Sequence, residues 1–463
     1  MAKPFVGKLE ELLGKGKVLS SEAELLCYSY DATPLVSHRP DAVVRAAGED
    51  DIHAVLGVAA QEGVPVTPRG SGSGLSGGSV PVKGGIVLLT TAMNRILDID
   101  TDDLAVTVEP GVITADLHAA VEAKGLFYPP DPGSMNVSTI GGNVAENSGG
   151  LRGLKYGITG DYVLSLDTHF VDGSKVRYGT KCVKDVAGYN LVKFLVGTEG
   201  TIGVFSRITL KLIPRPRVKK TVLVFFDDLI DAARTVSAII ASKVIPSTLE
   251  LMDRVTIGCV EDYAKIGLPR DVGALLLIEA DGHPEAVREE AAAIEEACRA
   301  NGAGTLRTAK DERESTELFT ARRMALSALA RAKPTTILED ITVPRPAIPE
   351  MMAAIRDAAR AHGLRIGTFG HAGDGNLHPT CLTDERDKAE IRRVEEAYDV
   401  IFRKAIDLGG TISGEHGTGL AKSKYLPAMV GPKAVEVMAR IKGAFDPEGR
   451  LNPGKVFPSE SGA

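Results

Sequence analysis

The first glycine-rich segment of the chain is Val64-Pro-Val-Thr-Pro-Arg-Gly70-Ser-Gly72-Ser-Gly74-Leu-Ser-Gly77-Gly78. Its pattern is the strongest indication of the fold of this part of the chain. The glycines at 72, 74 and 77 match the G-x-G-x-x-G pattern of dinucleotide-binding folds, but that pattern must open a helix. Here Pro81 and the pair Gly84-Gly85 precede a strand-like run at 86–90. A helix cannot begin there, so we predict a strand-to-strand loop whose exposed amides bind a pyrophosphate. The alternative is a flexible linker.

Two further segments are rich in glycine and small polar residues. One covers 129–150, and the other covers 185–190 together with 197–203. Small residues let the backbone approach a planar ligand closely, and serine and threonine hydroxyls can bond to phosphates. Three such segments between regular elements predict one extended cofactor-binding surface.

Length and composition limit the class of protein. With 463 residues, the chain is too long for one core and predicts two or three domains. A net charge of −7 without a lysine or arginine block argues against a nucleic-acid surface. No apolar stretch is long enough to span a bilayer, and residues 1–17 lack the apolar core of a secretory signal. Five cysteines without Cys-x-x-Cys spacing argue against an iron–sulfur cluster and a disulfide framework, so we expect a cytoplasmic protein.

A pair of histidines marks the candidate site for chemistry. His371-Ala-Gly-Asp-Gly-Asn-Leu-His378 lies on a glycine-rich turn, and Ser413-Gly-Glu415-His416-Gly417 follows downstream. Two imidazole nitrogens and one carboxylate oxygen form a three-ligand set with open coordination positions, which indicates a catalytic rather than a structural metal. The alternative is a polar turn with satisfied histidines.

Periodicity divides the chain into domains. Short strand-like runs alternate with helical patterns at 49–62 and 114–123 until Pro214 and Pro216 interrupt any regular element. Beyond these prolines the pattern predicts strands at 221–226, 274–280, 337–343 and 365–369. It predicts helices at 229–241, 284–300, 347–362 and 384–407. Helices that alternate with strands in this way are typical of an α+β domain with an antiparallel sheet. We predict domains at 1–216 and 217–440, with a C-terminal segment at 441–463.

Taken together, the motifs resemble the flavin-binding oxidases of the vanillyl-alcohol oxidase type, in the branch that holds the glycolate oxidase flavin subunit, D-lactate dehydrogenases and D-2-hydroxyglutarate dehydrogenase. The resemblance covers about residues 40–458 and rests on the stretches 68–78, 371–379, 413–417 and 445–454. It implies an α+β protein with a two-lobed FAD-binding domain and a cap domain built on an antiparallel sheet. It also implies that the C-terminal segment returns to the FAD domain.

The resemblance further implies that FAD lies on the three glycine-rich segments and the C-terminal tail, with residues 199–203 near the adenine. The residues expected to bind FAD are Arg69, Gly70, Ser71, Gly72, Ser73, Gly74, Leu75, Pro132, Gly133, Ser134, Thr139, Gly142, Asn143, Ser148, Gly149, Glu199, Gly200, Ile202 and Asn452. Some relatives attach the flavin covalently to a histidine in the first loop. No histidine occurs between Arg69 and Gly78, so we expect non-covalent FAD.

Roles in chemistry also follow from the resemblance. It implies that His371, His378 and Glu415 bind a divalent metal, and their donor atoms suit Zn, Mn, Fe or Co. It implies that His416 is the general base and that Arg322 binds the substrate carboxylate. Asn376, between the histidines, is either a substrate-binding residue or a turn residue. The expected reaction is the oxidation of a 2-hydroxy acid to the 2-oxo acid, with hydride passing to the flavin.

Substrate and partners are less narrowly defined. Glycolate and D-lactate are the first expected substrates, with D-2-hydroxyglutarate and other large D-2-hydroxy acids as the alternative. We expect electrons to leave to a partner subunit, an electron-transfer flavoprotein or a quinone. Two further possibilities are peripheral association with a membrane through a partner protein and the formation of a homodimer. Two other classes are a metallohydrolase, which would not explain the glycine-rich loops, and a non-catalytic binding subunit, which would not need the His and Glu set.

Overall fold

A computed structural model describes residues 3–458 of the chain. The outer ends of the predicted first domain and C-terminal segment, at 1–2 and 459–463, lie outside the described residues. The chain forms two compact units. The first unit contains residues 3–149, 158–215 and 415–458, and the second contains residues 150–157 and 216–414.

The strands are β1 Val18–Leu19, β2 Ala42–Arg45, β3 Val66–Arg69, β4 Ile86–Leu89, β5 Ile96–Asp100, β6 Ala105–Val108, β7 Leu126–Phe127, β8 Val163–His169, β9 Lys175–Gly179, β10 Val204–Lys211, β11 Ile213–Pro214, β12 Val218–Phe226, β13 Thr248–Asp253, β14 Ala274–Gly282, β15 Leu306–Thr308, β16 Thr335–Leu338, β17 Ile341–Thr342, β18 Arg365–His371 and β19 Asn376–Thr383. The α-helices are α1 Pro4–Leu13, α2 Glu22–Cys27, α3 Glu49–Glu62, α4 Thr114–Glu122, α5 Ile140–Glu146, α6 Gly153–Tyr156, α7 Leu191–Leu195, α8 Leu229–Ala241, α9 Arg254–Ala264, α10 Pro284–Ala300, α11 Glu312–Arg323, α12 Ala325–Ala330, α13 Ile348–Ala361, α14 Lys388–Asp407, α15 Leu426–Val430 and α16 Pro432–Phe445.

The first unit contains three sheets. The four-stranded sheet has the order β1-β2-β4-β3, and its strands β2, β4 and β3 are parallel. The five-stranded sheet, β5-β6-β10-β8-β9, is antiparallel throughout. Strands β11 and β7 form a small third sheet. Because β3 and β4 are neighbours joined by residues 70–85 without a helix, the predicted strand-to-strand loop is confirmed.

Two large buried cores and a small cluster of Leu25, Val43, Val87 and Leu89 hold these sheets. Ile52, Val55 and Leu56 on α3 pack against the four-stranded sheet, and Leu451 of the C-terminal tail joins the same core. Leu451 also forms a parallel bridge with Val66 of β3, so the tail extends this sheet by one contact. The other core lies on the five-stranded sheet and includes Val144 of α5.

The second glycine-rich segment, which we placed between regular elements, contains a regular element itself, because residues 140–146 form helix α5. Thr139 caps this helix by accepting a hydrogen bond from the Gly142 N–H at 3.2 Å. The Asn143 side chain donates to Thr114 Oγ1 at 2.8 Å and is buried. A side-chain cap and buried apolar residues therefore outweigh the poor helix propensity of two glycines.

The second unit is an antiparallel sheet with helices packed on it. Its strand order is β15-β12-β14-β13-β18-β19-β16, with β17 also paired to β19. The predicted strand at 337–343 divides into β16 and β17, which both pair with β19 but are interrupted at residues 339–340. This unit confirms the predicted α+β domain with an antiparallel sheet.

Helix α14 illustrates how the helices of this unit are specified. Val394, Ile401 and Phe402 lie on one buried face at helical spacing, while charged residues cover the other face. The helix begins at Lys388, later than the predicted 384. Its start is fixed by the Asp387 side chain, which accepts hydrogen bonds from the N–H groups of Ala389 and Glu390.

The division into units differs from the predicted boundary at 440. The chain leaves the second unit after Gly414, because residues 418–420 are bound to loops of the first unit. The N–H groups of Thr418 and Gly419 donate to the Glu199 carboxylate, and the Leu420 N–H donates to Ser76 O.

No helix within residues 3–458 combines the length and apolar character needed to cross a membrane.

Phe402 provides a test of packing in the second unit, because its side chain is 1% exposed on α14. We expect Phe402→Ala to lower the free energy of unfolding by about 3–5 kcal/mol, since it removes a buried ring and leaves a cavity. Urea denaturation measures this change. Val400→Ala on the same helix, where the side chain is 48% exposed, should change it by less than about 0.5 kcal/mol. Equal losses for both variants would contradict the packing described.

Candidate active site

The two histidines of the glycine-rich turn lie on one hairpin of the second unit. His371 ends β18 and His378 lies in β19, and the register pairs Phe369 with His378 and His371 with Asn376. Because side chains alternate along a strand, all four of these side chains point to the same face. The imidazole ring centroids are 5.2 Å apart, and both rings are buried.

Each histidine faces a buried carboxylate on a neighbouring strand. Strand β13 pairs Leu251 with Gly370, and one residue further along this register Glu250 lies opposite His371. Glu250 Oε1 is 2.7 Å from His371 Nδ1. Asp340 lies opposite His378 in the register that β16 and β17 share on β19, with Oδ1 3.9 Å from His378 Nδ1. Because Nδ1 of His371 is within hydrogen-bond distance of a carboxylate, this ring presents Nε2 as its candidate ligand atom.

Glu250 also forms an ion pair with Arg322, near the end of α11. The guanidinium stacks over the Phe369 ring, 4.7 Å from its centroid, and Arg322 is only 3% exposed. Burial raises the pKa of Glu250, but the charge of Arg322 and the contact with His371 outweigh it, so the pKa lies below its ordinary value. Arg322, the residue predicted to bind the substrate carboxylate, is therefore paired with a carboxylate of the protein itself.

Asp340 is the second organising carboxylate. Its Oδ1 accepts a hydrogen bond from the Asn376 side-chain amide, and its Oδ2 accepts from Ser413 Oγ at 2.7 Å and from the Gly414 N–H at 2.9 Å. The Asn376 amide also donates to Thr342 Oγ1 at 2.9 Å. One buried acid thus joins the histidine hairpin to the irregular segment that leads into Glu415.

Glu415 and His416 are the first residues of the chain back in the first unit. Glu415 Oε1 lies 3.8 Å from His416 Nε2, and both side chains are largely buried. A side chain at Gly149 would lie 3.0 Å from Glu415 Oε2, so glycine there leaves room for the carboxylate. Gly417 follows with a φ of +84°, a left-handed conformation that favours glycine.

The first glycine-rich loop presents unpaired amides. The N–H groups of residues 71–75 have no hydrogen-bond acceptor within the described part of the chain. Successive backbone amides that are accessible and not paired within the protein can bind anions. A side chain at Gly70 would lie 2.3 Å from Thr139 Oγ1, so only glycine permits this approach to α5. This loop therefore fits the pyrophosphate of a dinucleotide.

Arg69 lies at the base of this loop, with its guanidinium largely buried. It lies over the Tyr28 ring at 5.7 Å and 3.4 Å from Ser79 Oγ, and burial lowers its pKa. Gly72 has a φ of +75°, and a side chain there would overlap Arg69 Nη2. Arg69 therefore supports the conformation of the loop.

The remaining residues predicted to bind FAD also belong to the first unit. Pro132 is buried, while Gly133 and Ser134 lie in an accessible turn ahead of α5. Thr139, Gly142 and Asn143 form the start of α5. Ser148 and Gly149 follow that helix, and the Ser148 carbonyl accepts hydrogen bonds from Thr159.

The turn at Glu199 is linked to the C-terminal tail. Asn452 Nδ2 donates to Glu199 O at 2.8 Å and to Gly78 O at 2.9 Å, and its Oδ1 is 3.2 Å from Lys455 Nζ. Gly200 lies near Pro68, and Ile202 is part of the core on the five-stranded sheet. The tail thereby fixes the spacing of two glycine-rich segments.

Several charged groups are buried next to this turn. Burial raises the pKa of Glu199 and of the neighbouring Glu146 above their ordinary values. Burial lowers the pKa of Lys455 to about 8, although three acidic residues nearby oppose the shift. Lys455 Nζ donates to Val80 O at 2.6 Å, which anchors the end of the first glycine-rich loop.

Sequence reasoning missed Glu250 and Asp340. Both are distant in sequence from the histidines and become their neighbours only through strand pairing. A signal exists for Glu250, which is a charged residue within the apolar run Leu249-Glu250-Leu251-Met252. A charge within a run of this kind is rarely left buried without a partner.

Two family matches cover most of the chain. Residues 40–179 match the family described as FAD binding domain. Residues 215–456 match the family described as FAD linked oxidases, C-terminal domain. The unpaired amides of the first loop lie inside the first match, and both histidines lie inside the second.

Individual proteins match over nearly the full length. The chain is 52% identical over 461 residues to the glycolate oxidase subunit GlcD of Bacillus subtilis (strain 168), which covers 100% of this chain and 98% of that protein. It is 35% identical over 430 residues to a D-lactate dehydrogenase of Anaerostipes hadrus, with 90% of each chain covered. The 4-ethylphenol oxidase of Gulosibacter chungangensis shares the fold alone, with a TM-score of 0.81 at 18% identity over 99% of this chain and 97% of that one. The chain therefore belongs to the FAD-linked oxidases, as the resemblance of its motifs predicts.

Proposed function

We propose that this enzyme oxidises a D-2-hydroxy acid, glycolate or D-lactate, to the 2-oxo acid and passes the electrons to an external acceptor. The observation that carries the proposal is the pair His371 and His378 on one hairpin face, each with its own buried carboxylate. The relatives named glycolate oxidase subunit and D-lactate dehydrogenase support this substrate class. A larger acid such as D-2-hydroxyglutarate is the alternative.

FAD would be held by the residues predicted from the three glycine-rich segments, without a covalent bond. The unpaired amides of residues 71–75 support a pyrophosphate position there. Bound FAD supplies the acceptor for the hydride that leaves the substrate Cα. The absence of histidine from residues 69–78 supports non-covalent attachment at this loop.

His371, His378 and Glu415 would bind a divalent metal. Glu250 supports this assignment, because metal-binding histidines commonly donate a hydrogen bond from their second nitrogen to a carboxylate, as His371 does here. Gly414, anchored on Asp340, directly precedes Glu415 and supports its inclusion in the set. A divalent cation bound there supplies a positive charge that lowers the pKa of the substrate hydroxyl.

The remaining polar residues would orient the substrate and move its proton. His416 would accept the hydroxyl proton at a ring nitrogen as general base. Arg322 would bind the substrate carboxylate through N–H groups that its contact with Glu250 leaves over, since a guanidinium carries five donors. Asn376 would bind the substrate through Oδ1, because its amide nitrogen is engaged with Asp340 and Thr342.

Removing one histidine tests the metal site. His378→Ala should lose both the metal and the activity while it keeps FAD, because the residues proposed to hold FAD lie in the first unit. Elemental analysis measures the metal, and absorbance of FAD released by acid precipitation measures the flavin. His362→Ala at the end of α13 serves as the matched control in the same unit and should retain both. Fully active wild-type enzyme without metal would contradict the assignment.

Replacement of His416 tests the base. His416→Ala should retain FAD and metal but reduce the flavin roughly 100-fold or more slowly, the usual scale for a positioned base. Anaerobic stopped-flow mixing with glycolate or D-lactate measures this rate in a single turnover. His53→Ala on the exposed side of α3 is the control. Flavin reduction at the wild-type rate in His416→Ala would assign the base elsewhere.

The sequence offers no electron relay beyond the flavin. Its five cysteines lack iron–sulfur spacing, and the first glycine-rich loop does not open a helix as nicotinamide-binding loops do. We therefore expect turnover with a protein or dye acceptor and poor reactivity with oxygen. The reduced enzyme mixed with air-saturated buffer should reoxidise more slowly than it turns over with the dye. Faster reoxidation by oxygen would show that no partner is required.

A further inference from the structure

We propose that the Glu199 side chain is a positioning group for His416 and acts through the turn that follows the histidine, so that only the backbone of Glu199 belongs to the proposed FAD-binding surface. The inference rests on the proposed role of His416 as general base. It assigns to a residue of the third glycine-rich segment a function in proton transfer.

The Glu199 carboxylate binds the turn directly. Its Oε1 accepts a hydrogen bond from the Thr418 N–H and its Oε2 accepts one from the Gly419 N–H, both at 2.7 Å. These are the second and third residues after His416. A carboxylate that binds two successive amides fixes the orientation of the peptide between them, and charged acceptors make the stronger hydrogen bonds.

Gly417 shows how closely the turn fits the acidic side chains. Its φ is +84°, and a Cβ there would lie 2.2 Å from Glu146 Oε2 and 3.1 Å from Glu199 Oε1. The carboxylates therefore occupy the space where a side chain would project. Beyond Gly419, the Leu420 N–H donates to Ser76 O at 2.8 Å, which joins the turn to the first glycine-rich loop.

The backbone of Glu199 is itself held in place. Its φ of +50° is rare for a residue with a side chain, and its N–H donates to Ala145 O at 2.8 Å. Its carbonyl accepts from Asn452, whose amide also donates to Gly78 O. Glu199 thus connects three segments of the proposed flavin site to the turn that carries His416, and so fixes the base relative to them.

A double-mutant cycle on the holoenzyme tests this role. Glu199→Gln keeps the size of the side chain but replaces one acceptor oxygen with an NH2 group. We expect flavin reduction about 10-fold or more slower, because small displacements of a catalytic group are costly. FAD content and the substrate concentration for half-maximal reduction should stay at the wild-type values. In the His416→Ala background, the same substitution should add less than about 2-fold, because both changes act on one group.

Two further variants control for folding. Asp51→Asn removes a buried carboxylate of the same unit that accepts the Ala47 N–H and pairs with Lys17, and should leave the reduction rate unchanged. Gly417→Ala displaces the same turn while residue 199 stays a glutamate. It should slow reduction in wild type and add little in His416→Ala, so it provides the test if Glu199→Gln does not fold.

The outcomes separate this inference from the proposed function. If His416→Ala reduces the flavin slowly and Glu199→Gln slows it further by the same factor as in wild type, the positioning role alone is overturned. Loss of FAD from Glu199→Gln would assign the Glu199 side chain to the flavin site and would also overturn the positioning role. Normal reduction in His416→Ala would remove the proposed base, and the inference would fall with it.

Discussion

A carboxylate can be buried only if charged or hydrogen-bonding partners replace the water it loses, and this constraint organises the segments of the candidate active site. Glu250, Asp340 and Glu199 are each buried, and each meets the constraint with groups from segments distant in sequence. Glu250 takes a guanidinium and an imidazole, Asp340 takes an amide, a hydroxyl and a backbone N–H, and Glu199 takes two backbone N–H groups.

Asp340 and Glu199 hold a segment of the chain that has no regular secondary structure. The segment 409–425 contains no α-helix or strand, so its backbone groups are not paired by a ladder of their own. Asp340 binds it before Glu415, and Glu199 binds it after His416. An irregular segment anchored on both sides in this way can hold side chains in a defined geometry, at the cost of great sensitivity to the loss of either acid.

The parts of this architecture that sequence could predict are those with local causes. The helices at 49–62, 229–241 and 284–300 follow from apolar periodicity and end near the predicted residues. The histidine turn could be predicted because its glycines and candidate ligands are contiguous in the sequence. Glu250 and Asp340 were not, because strand pairing creates their contacts. The break in the predicted strand at 337–343 includes Asp340, whose side chain binds Asn376 and Gly414. Helix α5 was missed because a threonine cap and a buried asparagine compensate for its glycines.

The hairpin that carries the two histidines restricts how the length of this protein can vary. Residues 372–375 join β18 to β19, and Gly375 has a φ of +89° where a side chain would lie 2.1 Å from Val343 O. Because strand side chains alternate between faces, one added residue that shifted β19 in register would turn His378 away from His371. The same shift would separate His378 from Asp340 and place Leu377 among the polar groups. In a lineage that keeps both histidines in use, this turn should therefore resist single-residue insertion and deletion, while surface loops elsewhere drift in length.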